Sequence, residues 1–207
     1  MELIPTVISA GYAAGLNAYG TVALLGLLGR AGFGEVPDAL TTDAVIVGAG
    51  VMYVIEFVTD KVPLLDNTWD LLHTLVRPAI GSAIGVEFAG LDQVTGTEEV
   101  LAGGGAGATA LTSHALKAAT RLGINASPEP LSNIIASLVE DGVVAVVIAL
   151  TLKEPLIALA VVIVLLAIGI GLVLLLRKAI MRALEKRRRR KGGLIEEEPP
   201  ESSSRGP

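Results

Sequence analysis

The chain has 207 residues, 52% of them hydrophobic, 18% charged and 3% aromatic, with a mean hydropathy of +0.65. That is more apolar than one soluble core requires, and it points to an all-α membrane protein. There is no cysteine, which excludes disulfides, thiolate metal sites and cysteine nucleophiles, and the net charge of -5 averages a basic run with an acidic tail.

Glu2 stands where a signal peptide carries basic residues, so Leu3 to Gly29 reads as a first membrane span rather than a cleaved leader. Asp43 to Thr59 follows as a second apolar segment. Trp69 to Leu91 is the weakest of the series, because Asp70, His73, Arg77 and Glu87 leave only a short uncharged core. Val100 to Arg121 and Leu131 to Leu152 give a fourth and fifth span. Pro155 to Leu176, without a charge until Arg177 and Lys178, gives a sixth.

With six spans and both ends in the cytoplasm, Lys61, Arg77, Lys117, Arg121 and the run from Arg177 to Lys191 fall inside, and only Arg30 and Lys153 fall outside. The expected location is a bacterial cytoplasmic membrane. The basic run reads as an orientation signal and an anchor to anionic lipids; without stacking aromatics, nucleic acid is not an expected partner. The tail 192–207 reads as disordered by composition.

A shift of 92 residues pairs Ala10-Gly11 with Ala102-Gly103, Ala14-Gly15 with Ala106-Gly107, Thr59 with Thr151, Lys61 with Lys153 and Pro63-Leu64 with Pro155-Leu156. The chain therefore divides into three-helix repeats at 1–91 and 92–182, a basic juxtamembrane end at 183–191 and the tail. Three crossings are an odd number, so the second copy is expected to be inverted, as in many secondary transporters.

Ionisable groups inside a bilayer cost about 2.5–3.5 kcal/mol each on insertion scales, so their positions carry information. Glu140-Asp141 lies halfway along the fifth span, either as a proton or cation site or as the partner of a buried base. His114, Lys117 and Arg121 share one face of the fourth span. His114 reads as a proton relay or a hydrogen-bonded packing histidine, the two bases mostly as topology signals.

Glu56 and Asp60 close the second span at i, i+4, and Asp66, Asp70, His73 and Arg77 line one face of the next. Facing each other, these stripes would close an inner vestibule, and Asp60, Asp66, Asp70 and His73 could hold a hard divalent cation. The alternative is structural pairing, Asp70 or Asp66 with Arg77 and Asp60 with Lys61. Trp69 reads as an interfacial anchor.

Asn17 and Tyr19 sit beside Gly15 and Gly20, where an unwound or closely packed backbone is plausible; an interhelical hydrogen bond accounts for Asn17 equally well. Gly103-Gly104-Gly105 and Gly107 lack the Lys-Ser or Lys-Thr of a phosphate loop and read as a packing face or hinge. Ser127-Pro128-Glu129-Pro130 reads as a helix cap.

The stretches Gly15-Leu-Asn17-Ala-Tyr19, Glu56-Phe-Val-x-Asp60-Lys-x-Pro63-x-x-Asp66-x-x-Trp69-Asp70-x-x-His73-Thr-x-x-Arg77-Pro78, His114-Ala-x-Lys117 and Asn125-x-Ser127-Pro-Glu129-Pro-x-Ser-Asn133, followed by Glu140-Asp141, resemble the bacterial membrane family catalogued as domain of unknown function 4126. The resemblance covers about residues 1–176. It implies a small integral membrane protein and focuses attention on these polar residues, but supplies no activity.

The function expected is a small inverted-repeat transporter or channel for an ion or small polar solute, working as a homo-oligomer. Its pathway would comprise Asn17, Glu56, Asp60, Asp66, Asp70, His73, Arg77, His114, Lys117, Glu140 and Asp141. The alternative is a non-transporting membrane scaffold with structural ion pairs. No cofactor is expected beyond a divalent cation, and no nucleophile elbow, nucleotide motif or zinc spacing points to an enzyme.

Overall fold

The computed structural model describes residues 2–61, 63–125 and 130–196, without the side chains of 63, 64, 66, 67, 125, 130, 183 and 186–196. Its described residues form helices joined by short connections: α1 (Leu3–Leu16), α2 (Ala18–Arg30), a 3₁₀ turn (Asp38–Thr41), α3 (Asp43–Thr59), α4 (Pro63–Leu91), α5 (Thr97–Asn125), α6 (Pro130–Lys153) and α7 (Pro155–Glu196).

Each sequence-predicted span falls on a helix, with one correction. The first is two helices, because the chain leaves helical geometry at Asn17 (φ -149°, ψ 100°). The Asn17 N–H still closes the last turn of α1 on Ala13 O, while its side-chain Oδ1 accepts from the Gly20 N–H and starts α2. One residue thus caps two helices.

The segment expected to be weakest makes up all but the first six residues of a continuous helix of 29 residues, about 44 Å long. Pro78 lies inside it. Asp70, His73, Arg77, Ile84 and Phe88 are buried along one stripe, while Leu71, Leu72 and Leu75 are exposed. α7 continues to Glu196, so its helix includes the first residues, from Gly192, of the stretch expected to be a disordered tail. The expected cap at Ser127, Pro128 and Glu129 lies outside the described residues.

α1 is the central helix, buried almost continuously from Thr6 to Leu16 and packed against α4, α5, α6 and α7. Small residues make this possible. A Cβ on Gly11 would stand 2.3 Å from Ala106 O, one on Gly15 2.1 Å from Ala110 O, and one on Gly85 2.5 Å from Ala102 O. The three helices meet backbone to backbone, and Gly103 and Gly107 face α4 as the packing surface the sequence suggested.

Polarity is inverted relative to a water-soluble domain, in which charges stay outside. Glu56, Arg77 and Arg121 are fully buried, and Lys117 is 4% exposed. Val47, Val51, Val54 and Val58 of α3, and Ile163, Val164, Leu174 and Leu175 of α7, are exposed. Among the described residues, Leu131–Lys153 and Pro155–Arg182 are the helices long and apolar enough to cross a membrane.

Candidate functional site: a charged network at a broken helix

The break at Asn17 leaves the last carbonyls of α1 without helical donors, and two cations from other helices supply them. Arg77 Nη1 donates to Gly15 O at 3.3 Å, and Lys117 Nζ donates to Leu16 O at 3.1 Å. Cations at a helix C-terminus also oppose the negative end of its dipole. One turn earlier, Ser113 Oγ donates to Tyr12 O at 2.9 Å.

Around Arg77 the two polar stripes meet. Its Nη2 lies 2.7 Å from Glu56 Oε1 and 3.0 Å from Asp70 Oδ1, and its Nη1 lies 2.7 Å from His114 Nδ1. Arginine has only donors, so His114 accepts at Nδ1 and carries its proton on Nε2, which faces Thr74 Oγ1 at 3.3 Å. The Asp70 contact lacks hydrogen-bond geometry and is a charge contact alone.

Lys117 forms the second node, 2.7 Å from Asp60 Oδ2 and 3.4 Å from Glu140 Oε2. Arg121 forms the third. Its Nε and Nη2 grip both Glu140 oxygens, at 3.0 and 2.6 Å, while Nη1 reaches the Asn133 side chain and the Asp60 carbonyl. Asn133 Nδ2 donates to the same carbonyl at 2.8 Å. These bonds tie the end of α3 to α5 and α6.

Asp60 therefore pairs with Lys117 and not with Lys61. Lys61 folds back over the Phe57 ring, 3.0 Å from its centroid, and donates to Phe57 O and Ser137 Oγ. The Asp70–Arg77 pairing is as the sequence suggested. The side chain of Asp66 lies outside the described residues.

His73 sits to one side, donating from Nδ1 to Trp69 O at 2.8 Å and accepting at Nε2 from the Tyr19 hydroxyl at 3.1 Å. Trp69 stacks on it at 4.4 Å between ring centroids, a contact the reading of Trp69 as an anchor did not anticipate. Among the described residues no group of three or more His, Asp or Glu is arranged to hold a metal ion. Asp60, Asp70 and His73 are instead held by Lys117, Arg77 and Tyr19.

Glu140 and Asp141, neighbours in sequence, part company in space. Glu140 is shared by Lys117 and Arg121, whereas Asp141 Oδ1 accepts from Asn17 Nδ2 at 3.0 Å and makes no ion pair among the described residues. A crevice of about 200 Å³ between α1, α5, α6 and α7 touches the network at Lys117 and Glu140, with Tyr12, Thr120 and Leu165 in its walls.

The structure thus joins ten of the eleven sequence-predicted pathway residues to the break or its neighbouring side chains, directly or through one intermediary. Arg121, which reads from the sequence as a topology signal, and Asn133 belong to the network as well. The clue for Arg121 was its spacing of four from Lys117 and seven from His114, which puts it on the same inward face.

No curated protein and no solved structure matches the chain. Residues 4–175 match the family model described as Domain of unknown function (DUF4126), and the chain belongs to that family.

Proposed function

We propose that the chain is a polytopic membrane protein that moves an ion or small polar solute past the charged network at the broken first span. The observation that carries this reading is the combination of a broken central helix with buried charges on three further helices, two of them paired with the half-buried Glu140 of a fourth. In hydrocarbon, non-helical backbone is tolerated only where protein or a polar cavity satisfies it, and secondary transporters place their sites at such breaks.

The inverted exposure supports a bilayer as solvent. α1 with α2, then α3 to α7, make six crossings with both ends in the cytoplasm. Thr59 and Thr151 lie in the last turns of α3 and α6, and Pro63 and Pro155 open α4 and α7, in keeping with two repeats offset by 92 residues. The repeats differ at the site itself, since α5 is continuous where α1 gives way to α2.

Flux through proteoliposomes containing the full chain tests the reading, with protons, Mg²⁺, Mn²⁺ and common anions as the panel. Flux of one of them should vanish in the Glu140→Gln/Asp141→Asn double variant while the protein stays folded. Undiminished flux in that variant would remove these acids from the pathway. A second reading, a scaffold held by structural ion pairs, is favoured by the fact that Arg77, Lys117 and Arg121 are each already paired with acids. It predicts silence across the panel and a cytoplasmic partner that binds through the tail.

A further inference from the structure

We propose that Asp141 is the proton-binding group of the network, and that proton uptake there loosens its tie to the helix break at Asn17. The proposal rests on the transport reading for its purpose, but not for its chemistry.

Among the described residues the network gathers five carboxylates, of Glu56, Asp60, Asp70, Glu140 and Asp141, around three cations, those of Arg77, Lys117 and Arg121. Counting Lys61 as a fourth still leaves one negative charge in excess. Excess charge away from water is costly, and a bound proton or cation relieves it.

The ion pairs show where the excess lies. Glu56 and Asp70 share Arg77, Asp60 takes Lys117, and Glu140 takes Lys117 and Arg121. Asp141 alone has a neutral partner, the Asn17 amide, and its Oδ2 is buried with no hydrogen-bond partner among the described residues. Four further carboxylate oxygens among the described residues, Glu56 Oε2, Asp60 Oδ1 and both of Asp70, are buried without a hydrogen bond on residues 0%, 3% and 4% exposed. The unmet acceptors thus extend beyond Asp141.

A proton suits this site better than a metal ion. The described residues assemble no set of three acid or imidazole ligands, whereas one carboxylate oxygen without a donor is the atom a single proton occupies. The charges acting on Asp141 include Lys61 and Lys117, opposed by Asp60, and the Tyr53 hydroxyl of α3 feels Asp141 in turn.

The geometry couples the proton to the backbone. With Asn17 Oδ1 fixed on the Gly20 N–H, Nδ2 is the group left to meet Asp141. Protonation of Oδ2 removes the negative charge that holds Nδ2, weakening the bond that anchors the break to α6.

Infrared difference spectra of the purified full-length protein during a pH titration test this directly. Acidification should raise, beside the bands of the protein's other acids, one protonated-carboxyl band that Asp141→Asn abolishes and Glu140→Gln keeps. Asp141→Glu, which preserves the acid, should retain the band at a shifted frequency and guards against a variant that merely misfolds. An acid-induced difference spectrum of folded Asp141→Asn identical to that of the wild type would overturn the proposal. So would a titration midpoint displaced by sodium or potassium at constant ionic strength, which would identify a metal cation instead. A band behaving as expected in a protein without flux would sink the transport reading and leave the proton site standing.

Discussion

Replacing Gly15 with alanine tests whether the approach of α1 to α5 is as close as the site requires. The new Cβ would stand 1.9 Å from Ser113 Oγ and 2.1 Å from Ala110 O, where ordinary Cβ contacts begin near 3.4 Å. Ser113 can rotate away, but Ala110 O is backbone, so α1 has to retreat by about 1 Å, at the ~1–3 kcal/mol typical of overpacking. The retreat also stretches the bonds from Arg77 to Gly15 O and from Lys117 to Leu16 O. For a chain of this size, at about 2–4 °C per kcal/mol, the melting temperature should fall by roughly 2–12 °C. Gly104, on α5, supplies the control, because a Cβ there meets nothing within 4 Å. Gly104→Ala should therefore raise stability by about 0.5–1 kcal/mol through the lower backbone entropy of alanine in a helix. Thermal unfolding of both variants in one detergent decides the matter. A Gly15→Ala protein that melts at or above wild type would refute the packing argument.

Arg77→Ala leaves Glu56 and Asp70 buried without a counter-charge, a loss of about 3–5 kcal/mol, and the yield of monodisperse protein should collapse. Arg77→Lys should recover little of that yield, since one ammonium cannot reproduce the guanidinium's reach to Glu56, His114 and Gly15 O. Lys117→Met should lower the melting temperature far more than Lys61→Met, because Lys117 and not Lys61 neutralises Asp60; equal effects would contradict that pairing. Asn17→Ala removes the cap of α2, worth about 1 kcal/mol, and amide exchange at Gly20 should quicken roughly fivefold, read by mass spectrometry or NMR.

How far the sequence exposes this arrangement depends on the kind of signal each element carries. α7 is legible because an uncharged run ending in Arg177 and Lys178 needs no partner to be recognised. α4 looked weak because hydropathy averages around a helix: Asp70, His73 and Arg77 face inward while Leu71, Leu72 and Leu75 face out. Its polar stripe was visible at helical spacing, but the destination of each charge was not. Sequence proximity favoured Lys61 for Asp60, whereas the fold brings Lys117 from 57 residues away. The break at Asn17 was half legible. An asparagine beside Gly15 and Gly20 in an uncharged run reads equally as an unwound backbone or as a polar contact between helices, and only the assembled bundle places Arg77 and Lys117 where they can take the carbonyls a break exposes. The separation of Glu140 from Asp141 has the same origin, since neighbours on a helix point about 100° apart and meet different helices.

All of this chemistry presupposes that the network lies between two membrane faces. The natural absence of cysteine makes that directly measurable with single-cysteine variants and an impermeant thiol reagent applied to intact cells. Six crossings with both ends inside predict that Glu35→Cys, Gln93→Cys and Glu154→Cys react from outside, while Leu65→Cys and Arg182→Cys react only after the cells are opened. Labelling of Glu35→Cys and Leu65→Cys from the same side would contradict the account, since α3 would then not cross the bilayer and the charges it carries to Arg77 and Lys117 could not lie within it.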